Sequence, residues 1–178
     1  KNIYVNYKTP VNYLSATQSL ATLDINNISY EVDPDRNIIV QHGVYNIHRN
    51  IILPIGFSLV LQPGTTFRMG ENTSFLVKGN LTAIGTKNNP IKIIRLIKGK
   101  PFGVFAVVGK DKKAHVDIRH FHVAGGNQGV LEGIQFLGQI SIHNATVTAK
   151  EISIQSSVSD DGINIRDSEV DISNSNFS

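Results

Sequence analysis

From about Asn37 onward, short apolar–polar alternations are separated by turn residues, and no stretch carries the three-to-four-residue spacing of an amphipathic helix. Strands are expected at Ile38-Ile39-Val40, Val44 to Ile47, Ile51 to Leu53, Phe57 to Leu61, Thr66 to Met69, Phe75-Leu76-Val77, Leu81 to Ile84 and Ile91 to Ile94. Turns punctuate them at Leu53-Pro54-Ile55-Gly56, Gln62-Pro63-Gly64, Lys78-Gly79-Asn80 and Lys87-Asn88-Asn89-Pro90. The first 36 residues are less regular. Ser15 to Leu23 has the pattern of a short helix, Ile28 to Val32 alternates like a strand, and Asp33-Pro34-Asp35 reads as a turn. The expected division is a capping segment over 1–36 and a β body over 37–178.

The alternations recur at a longer period. Ile140 and Ile142 return as Ile163 and Ile165, Val147 as Val170 and Ile154 as Phe177, each 23 residues on. Val116, Ile118 and Val123 align with Ile140, Ile142 and Val147 at 24, and Leu53, Leu59 and Leu61 with Phe75, Leu81 and Ala83 at 22. Phe67 and Met69 align with Ile91 and Ile93 at 24. A period of 22–24 holding up to three short strands predicts a coil whose inward side chains stack on those of the next. Strands stacked at a constant offset run parallel, and the connections are too short for crossover helices, which excludes a doubly wound α/β sheet. The expected fold is therefore all-β, a single-stranded parallel β-helix solenoid. A β-sandwich is the main competitor, and it gives no reason for one period at several positions.

The run PIGFSLVLQPGTTFRMGENTSFLVKGNLTAIGTKNNPI, from Pro54 to Ile91, resembles a recurring segment of bacterial right-handed parallel β-helix proteins. These are relatives of the pectate lyase and polygalacturonase superfamily. The marks are Pro63-Gly64-Thr65-Thr66 after a strand, then Val77-Lys78-Gly79-Asn80-Leu81, Ala83-Ile84-Gly85-Thr86 and Asn89-Pro90-Ile91. The ending DDGINIRDSEVDISNSNFS resembles the Asn- and Ser-rich coils of the same group. The resemblance implies the right-handed sense, which agrees with the general crossover rule. It also implies an exported, extracellular or cell-surface location. Asn174 to Ser178 reads as the third strand of a coil with no amphipathic cap behind it, so the chain is expected to be the N-terminal part of a longer β-helix.

Composition supports strands over helices. Hydrophobic residues are 40% and charged residues 17%, and the apolar content comes mainly from Ile, Val and Leu. The absence of cysteine removes disulfides, cysteine metal sites and thiol nucleophiles. No apolar run reaches the ~20 residues that span a bilayer. Net charge is +3, with lysines and arginines gathered between Lys92 and Arg119, including Lys110, Lys112 and Lys113. Such a cluster suits an anionic partner, for example an acidic polysaccharide or surface glycan, or else it is a solvated loop. Nucleic acid is not expected as a partner, because no recognition helix or interleaved stacking aromatics accompany the cluster. Oligomeric state is left open.

Candidate chemistry centres on Asp160 and Asp161. Paired carboxylates suit acid–base work on glycosides or Ca²⁺ ligation, and polygalacturonases of the resembling superfamily carry such a pair with a third Asp on the neighbouring coil. One period earlier stand Leu137 and Gly138, and the Asn-Thr-Asp, Gly-His-Gly and Arg-Ile-Lys motifs of those enzymes are missing. The alternative is a polar turn whose aspartate oxygens accept local backbone N–H bonds. His143 and Arg166 share the 23-residue offset, as do Asn144 and Asp167, predicting an outward polar ladder. His120 and His122 are expected on one outer strand face without a third metal ligand. The stretch Gly125 to Gly129 reads as an outward loop, not a phosphate loop. Asp160, Asp161, Arg166 and His143 are thus the candidate ligand-binding residues. No cofactor or metal is expected, because Ca²⁺ lacks a ligand set. Two functions remain: a non-catalytic module contacting carbohydrate or protein, or a polysaccharide lyase, hydrolase or epimerase acting on acidic glycans.

Overall fold

In the computed structural model the described residues are 20–178. The helix expected over 15–23 lies partly outside them, and residues 20–25 are helical. Residues 26–27 turn the chain into β1 (Tyr30–Val32), which runs antiparallel to β2 (Asn37–Val40), with Tyr30 opposite Val40. Asp33 closes the turn between them: its carboxylate accepts from the Asn37 backbone and side-chain amides, both at 2.8 Å. Leu23 and Ile28 are buried in the main core beneath this segment.

From β2 onward the strands come in rounds of three. The first is β2, β3 (Gly43–Ile47) and β4 (Ile51–Ile52), and the second is β5 (Ser58–Leu61), β6 (Thr65–Met69) and β7 (Phe75–Val77). The third is β8 (Leu81–Ile84), β9 (Ile91–Arg95) and β10 (Phe105–Val108). The fourth has β11 (Ala114–Arg119) and β12 (Phe121–Ala124), then an inserted hairpin of β13 (Gly129–Leu131) and β14 (Ile134–Phe136), then β15 (Ile140–His143). The fifth is β16 (Ala145–Lys150), β17 (Ser153–Gln155) and β18 (Ile163–Arg166), followed by β19 (Glu169–Ser173) and β20 (Asn176–Phe177).

The first, second and third strands of the rounds build three separate open sheets. They are β1-β2-β5-β8-β11-β16-β19, β3-β6-β9-β12-β17-β20 and β4-β7-β10-β15-β18. All pairings between rounds are parallel. An antiparallel sandwich is therefore excluded, and the chain is all-β with parallel sheets.

Alternation along each strand turns one set of side chains toward a shared interior. Ile38, Leu59, Leu81, Val116 and Val147 occupy one inward row of the seven-stranded sheet and are all buried. An aromatic file runs through the middle. Tyr45, Phe67, Phe75, Phe105 and Phe121 follow one another with ring centroids 5.3–6.2 Å apart, in tilted and offset arrangements that favour aromatic attraction.

The register confirms part of the expected repeat and corrects the rest. The 23-residue pairs Ile140–Ile163, Ile142–Ile165, Val147–Val170 and Ile154–Phe177 are all direct partners, as are Leu59–Leu81 and Leu61–Ala83 at 22. Val116, Ile118 and Val123 instead face Val147, Ala149 and Ile154, 31 residues on, while Ile140 stacks on Phe105 at 35. Phe75 pairs with Ile51 rather than Leu53, and Phe67 with Ile93 rather than Ile91. The spacing is lengthened by insertions at 85–90, 96–104, 109–113 and 125–139, so 22–24 describes only some rounds.

The largest insertion covers the outer face of the five-stranded sheet. Leu76 and Ala106 point away from the main core, yet they are buried in a satellite cluster with Val104, Leu131 and Phe136. Gly125 to Gly129 begins this insertion and is not a free outward loop. Gly125 and Gly126 are buried, the Gly126 N–H donates to Gln139 Oε1 at 2.8 Å, and a β-carbon on Gly126 would strike the Phe102 ring. Gln139, itself fully buried, also donates to the Gln155 carbonyl, so both ends of its amide are satisfied.

Candidate functional site

Asp160 and Asp161 sit in the corner that leads into β18, and both are exposed. The corner is held by serines: the Ser157 and Ser159 hydroxyls donate to the Asp161 carbonyl at 3.0 and 2.7 Å. The Gly162 carbonyl accepts the Ile140 N–H from the preceding round. The polar-turn reading therefore needs one correction. The hydrogen bonds use the backbone oxygen of Asp161 and serine hydroxyls, because side chains as short as serine reach a backbone group two to four residues ahead. On the preceding round Gly138 lies against the Asp161 carbonyl, so no side chain faces the pair from that position.

His143 and Arg166 are register partners at the far end of β15 and β18. The His143 Nε2 is 3.3 Å from Asn164 Oδ1, and the ring lies 5.1 Å from Phe136 at 29°. The half-buried imidazole is held below its ordinary pKa, first by desolvation and then by the Arg166 charge. The Asn164 hydrogen bond and Asp167 work in the opposite direction. β18 separates this cluster from Asp160 and Asp161, and at about 3.3 Å per residue the strand alone spans roughly 10 Å. The four candidate residues thus form two groups at opposite ends of one strand. They do not converge.

The two histidines of the central rounds do not lie on one strand. β11 ends at Arg119, and His120 occupies the corner with φ 44°, while His122 is the second residue of β12. The His120 Nε2 is 2.9 Å from Glu151, its equivalent in the next round, which also has positive φ. His122 is half-buried beside Lys92, and its pKa is lowered by desolvation first and then by Lys92 and His120. Among the described residues, no three His, Asp or Glu side chains group as a metal site.

An open groove of roughly 500 Å³ follows the corner between the five-stranded and seven-stranded sheets. Its lining comes from corner turns at 55–58, 78–80 and 109–114, with Asp35 at one end. Lys78, Lys110, Lys112 and Lys113 are among the lining residues, so the lysine cluster noticed in the sequence borders a concave surface. The groove itself was not legible, because Ile55, Lys78 and Lys112 come together only once the rounds are in register. The hairpin left a readable trace. Phe75-Leu76-Val77 and Phe105-Ala106-Val107-Val108 are continuous apolar runs, the signature of a strand covered on both faces.

Among the described residues no helix is long and apolar enough to cross a membrane. No protein-family model, no curated protein and no solved structure matches the chain.

Proposed function

We propose that the chain is a right-handed parallel β-helix module related to the pectate lyase and polygalacturonase-like superfamily. It belongs to an exported or cell-surface protein and contacts carbohydrate or protein without catalysing a reaction. One observation carries the non-catalytic reading: Asp160 and Asp161 are exposed in a serine-held turn, and Gly138 occupies the neighbouring position on the preceding round. Glycoside chemistry needs two carboxyl groups flanking the scissile bond of a bound sugar, about 5–10 Å apart, and the neighbouring position on the preceding round supplies none across from this pair. Arg166 and His143, the cation and base that a uronate-directed enzyme would need nearby, lie beyond the length of β18.

The right-handed sense is supported by the rule for parallel crossovers, and the solenoid by the unchanging order in which strands visit the three sheets. The experiment is a glycan array and a pull-down from extracellular material with the folded chain. Binding in either, with no reducing-end or unsaturated product from pectin or alginate, is the expected result. Empty results in both across broad panels, or product release that is lost in Asp160→Asn and Asp161→Asn, overturn the reading.

A further inference from the structure

The sheet built from the second strands of the rounds carries charge of one sign. Its strands, β3, β6, β9, β12, β17 and β20, contain no Asp or Glu. His122 lies between the buried, inward Phe121 and Val123, so it belongs to the outer face, and its register partners there are Lys92 of β9 and Ser153 of β17. With neighbouring strands about 4.8 Å apart, an ammonium, an imidazole and a hydroxyl follow one another along a row of roughly 10 Å. Lys92 is exposed, whereas His122 and Ser153 are half-buried. Arg68 of β6 adds an exposed cation to the same face, diagonal to Lys92. In the corner before β17 the Glu151 carboxylate is taken up by His120 at 2.9 Å. Nothing facing His122 therefore offsets Lys92: β9 brings that cation, the corner brings His120, and β17 brings only Ser153 and Gln155.

We propose that Lys92, His122 and Ser153 bind a phosphate group, presented by free phosphate or by a phosphate monoester. Charge and proton both favour that chemistry. Two cationic groups side by side repel, and a ligand bearing close to two negative charges relieves both at once, which a single carboxylate does not. The imidazole is held below its ordinary pKa by burial first and then by Lys92 and His120, so near neutral pH it lacks the proton with which to meet an anion. A phosphate monoester, whose second proton leaves at about pH 6, can bring that proton and share it with the ring, while a carboxylate has none to give there. Lys92 supplies the fixed charge, and the Ser153 hydroxyl donates to a further phosphate oxygen.

The row is separate from the Asp160 corner and from the groove, so its test is independent of carbohydrate contact. The folded chain is titrated with inorganic phosphate from about pH 5 to 8 at constant ionic strength, with each histidine followed by NMR. The pKa of His122 is expected to rise by about 0.5 or more, while that of His143, also lowered first by burial but placed beside Arg166 on another sheet, stays within about 0.1. Linkage requires the converse, phosphate binding about threefold tighter or more to the protonated ring. Lys92→Gln, at an exposed position, should raise the His122 pKa without phosphate and remove most of the phosphate response. Equal movement of His122 and His143, an equal response to sulfate or acetate, or no response at about 20 mM phosphate overturns the proposal. Sedimentation with phosphatidic acid vesicles that is lost in Lys92→Gln assigns the phosphate to a lipid headgroup. Saturation by inorganic phosphate without vesicle binding assigns it to a soluble ligand.

Discussion

The corners between sheets are built from single residues in the left-handed region. After β15 and β18 these are Asn144 and Asp167, and after β11, β16 and β19 they are His120, Glu151 and Asn174, with φ between 44° and 56°. Asn and Asp accept this conformation most readily among side chains with a β-carbon. Each corner is then locked between rounds. The Ser168 hydroxyl donates to the Arg166 carbonyl and accepts the Ala145 N–H, and Ser175 repeats the arrangement with Ser173 and Ile152. The histidines give the residue-scale prediction. His122, facing Lys92 and His120, and His143, facing Arg166 and Asp167, both have pKa values lowered by burial, so the folded chain binds protons less readily than the unfolded one. Their contribution to stability is complete above an unfolded histidine's pKa of about 6.5 and is lost as pH falls below it toward the folded values. The thermal midpoint should therefore drop between pH 7.5 and 5.5, and His122→Gln/His143→Gln should flatten that drop. An unchanged slope in the double variant would refute the assignment. Asp33 acts in a separate, more acidic window. Its lowered pKa comes from the Asn37 side chain first, and its contribution fades only as the carboxylate protonates.

At the scale of elements, the hairpin β13–β14 is the feature that departs most from a simple repeat. It turns through Glu132 and Gly133, both at positive φ, the geometry that two-residue hairpin turns prefer. Its inner side places Leu131 and Phe136 on Leu76 and Ala106, and Glu132 reaches Lys78 at its tip. The ion pair is half-exposed on the glutamate side, and such pairs contribute ~0–1 kcal/mol. Apolar burial holds the hairpin down. Phe136→Ala should destabilise the chain by about 3–5 kcal/mol in denaturant unfolding, whereas Glu132→Ala should cost less than about 1 kcal/mol. Val130, on the outer side and 68% exposed, should be replaceable by Ala within roughly 0.5 kcal/mol. A Phe136→Ala effect no larger than that of Val130→Ala would mean that the hairpin is not a cover.

For the whole molecule, each round has its inner side buried by its neighbours, and this sets a gradient of stability along the stack. Phe75, Phe105 and Val116 have rounds on both sides and are buried. The last strands lack a neighbour on one side among the described residues, so Val170 and Phe177 are about half exposed although their partners Val147 and Ile154 are not. Amide hydrogen exchange should accordingly be slowest in β7 to β12 and fastest in β18 to β20. Uniform protection along the chain would contradict a stack stabilised by nearest neighbours.

What the sequence determined by itself follows from the range of the physics it records. Alternation has a period of two and is local, so a strand such as Leu81–Ile84 was legible to the residue. Where rounds kept one length, the offset of 23 fixed the partners as well. A slip of one residue would have turned apolar side chains outward and been rejected, but a slip of two keeps every side chain on its face. That is how Leu53 was set against Phe75 and Phe67 against Ile91, each two residues from the true register. The central insertions broke the offset altogether, and the tertiary structure alone decided that Val116 meets Val147. It also decided that His120 is a corner residue, that Asp160 and Asp161 lie a strand's length from His143 and Arg166, and that the lysine cluster borders a groove. Those juxtapositions depend on connection lengths, which leave no periodic mark in the chain.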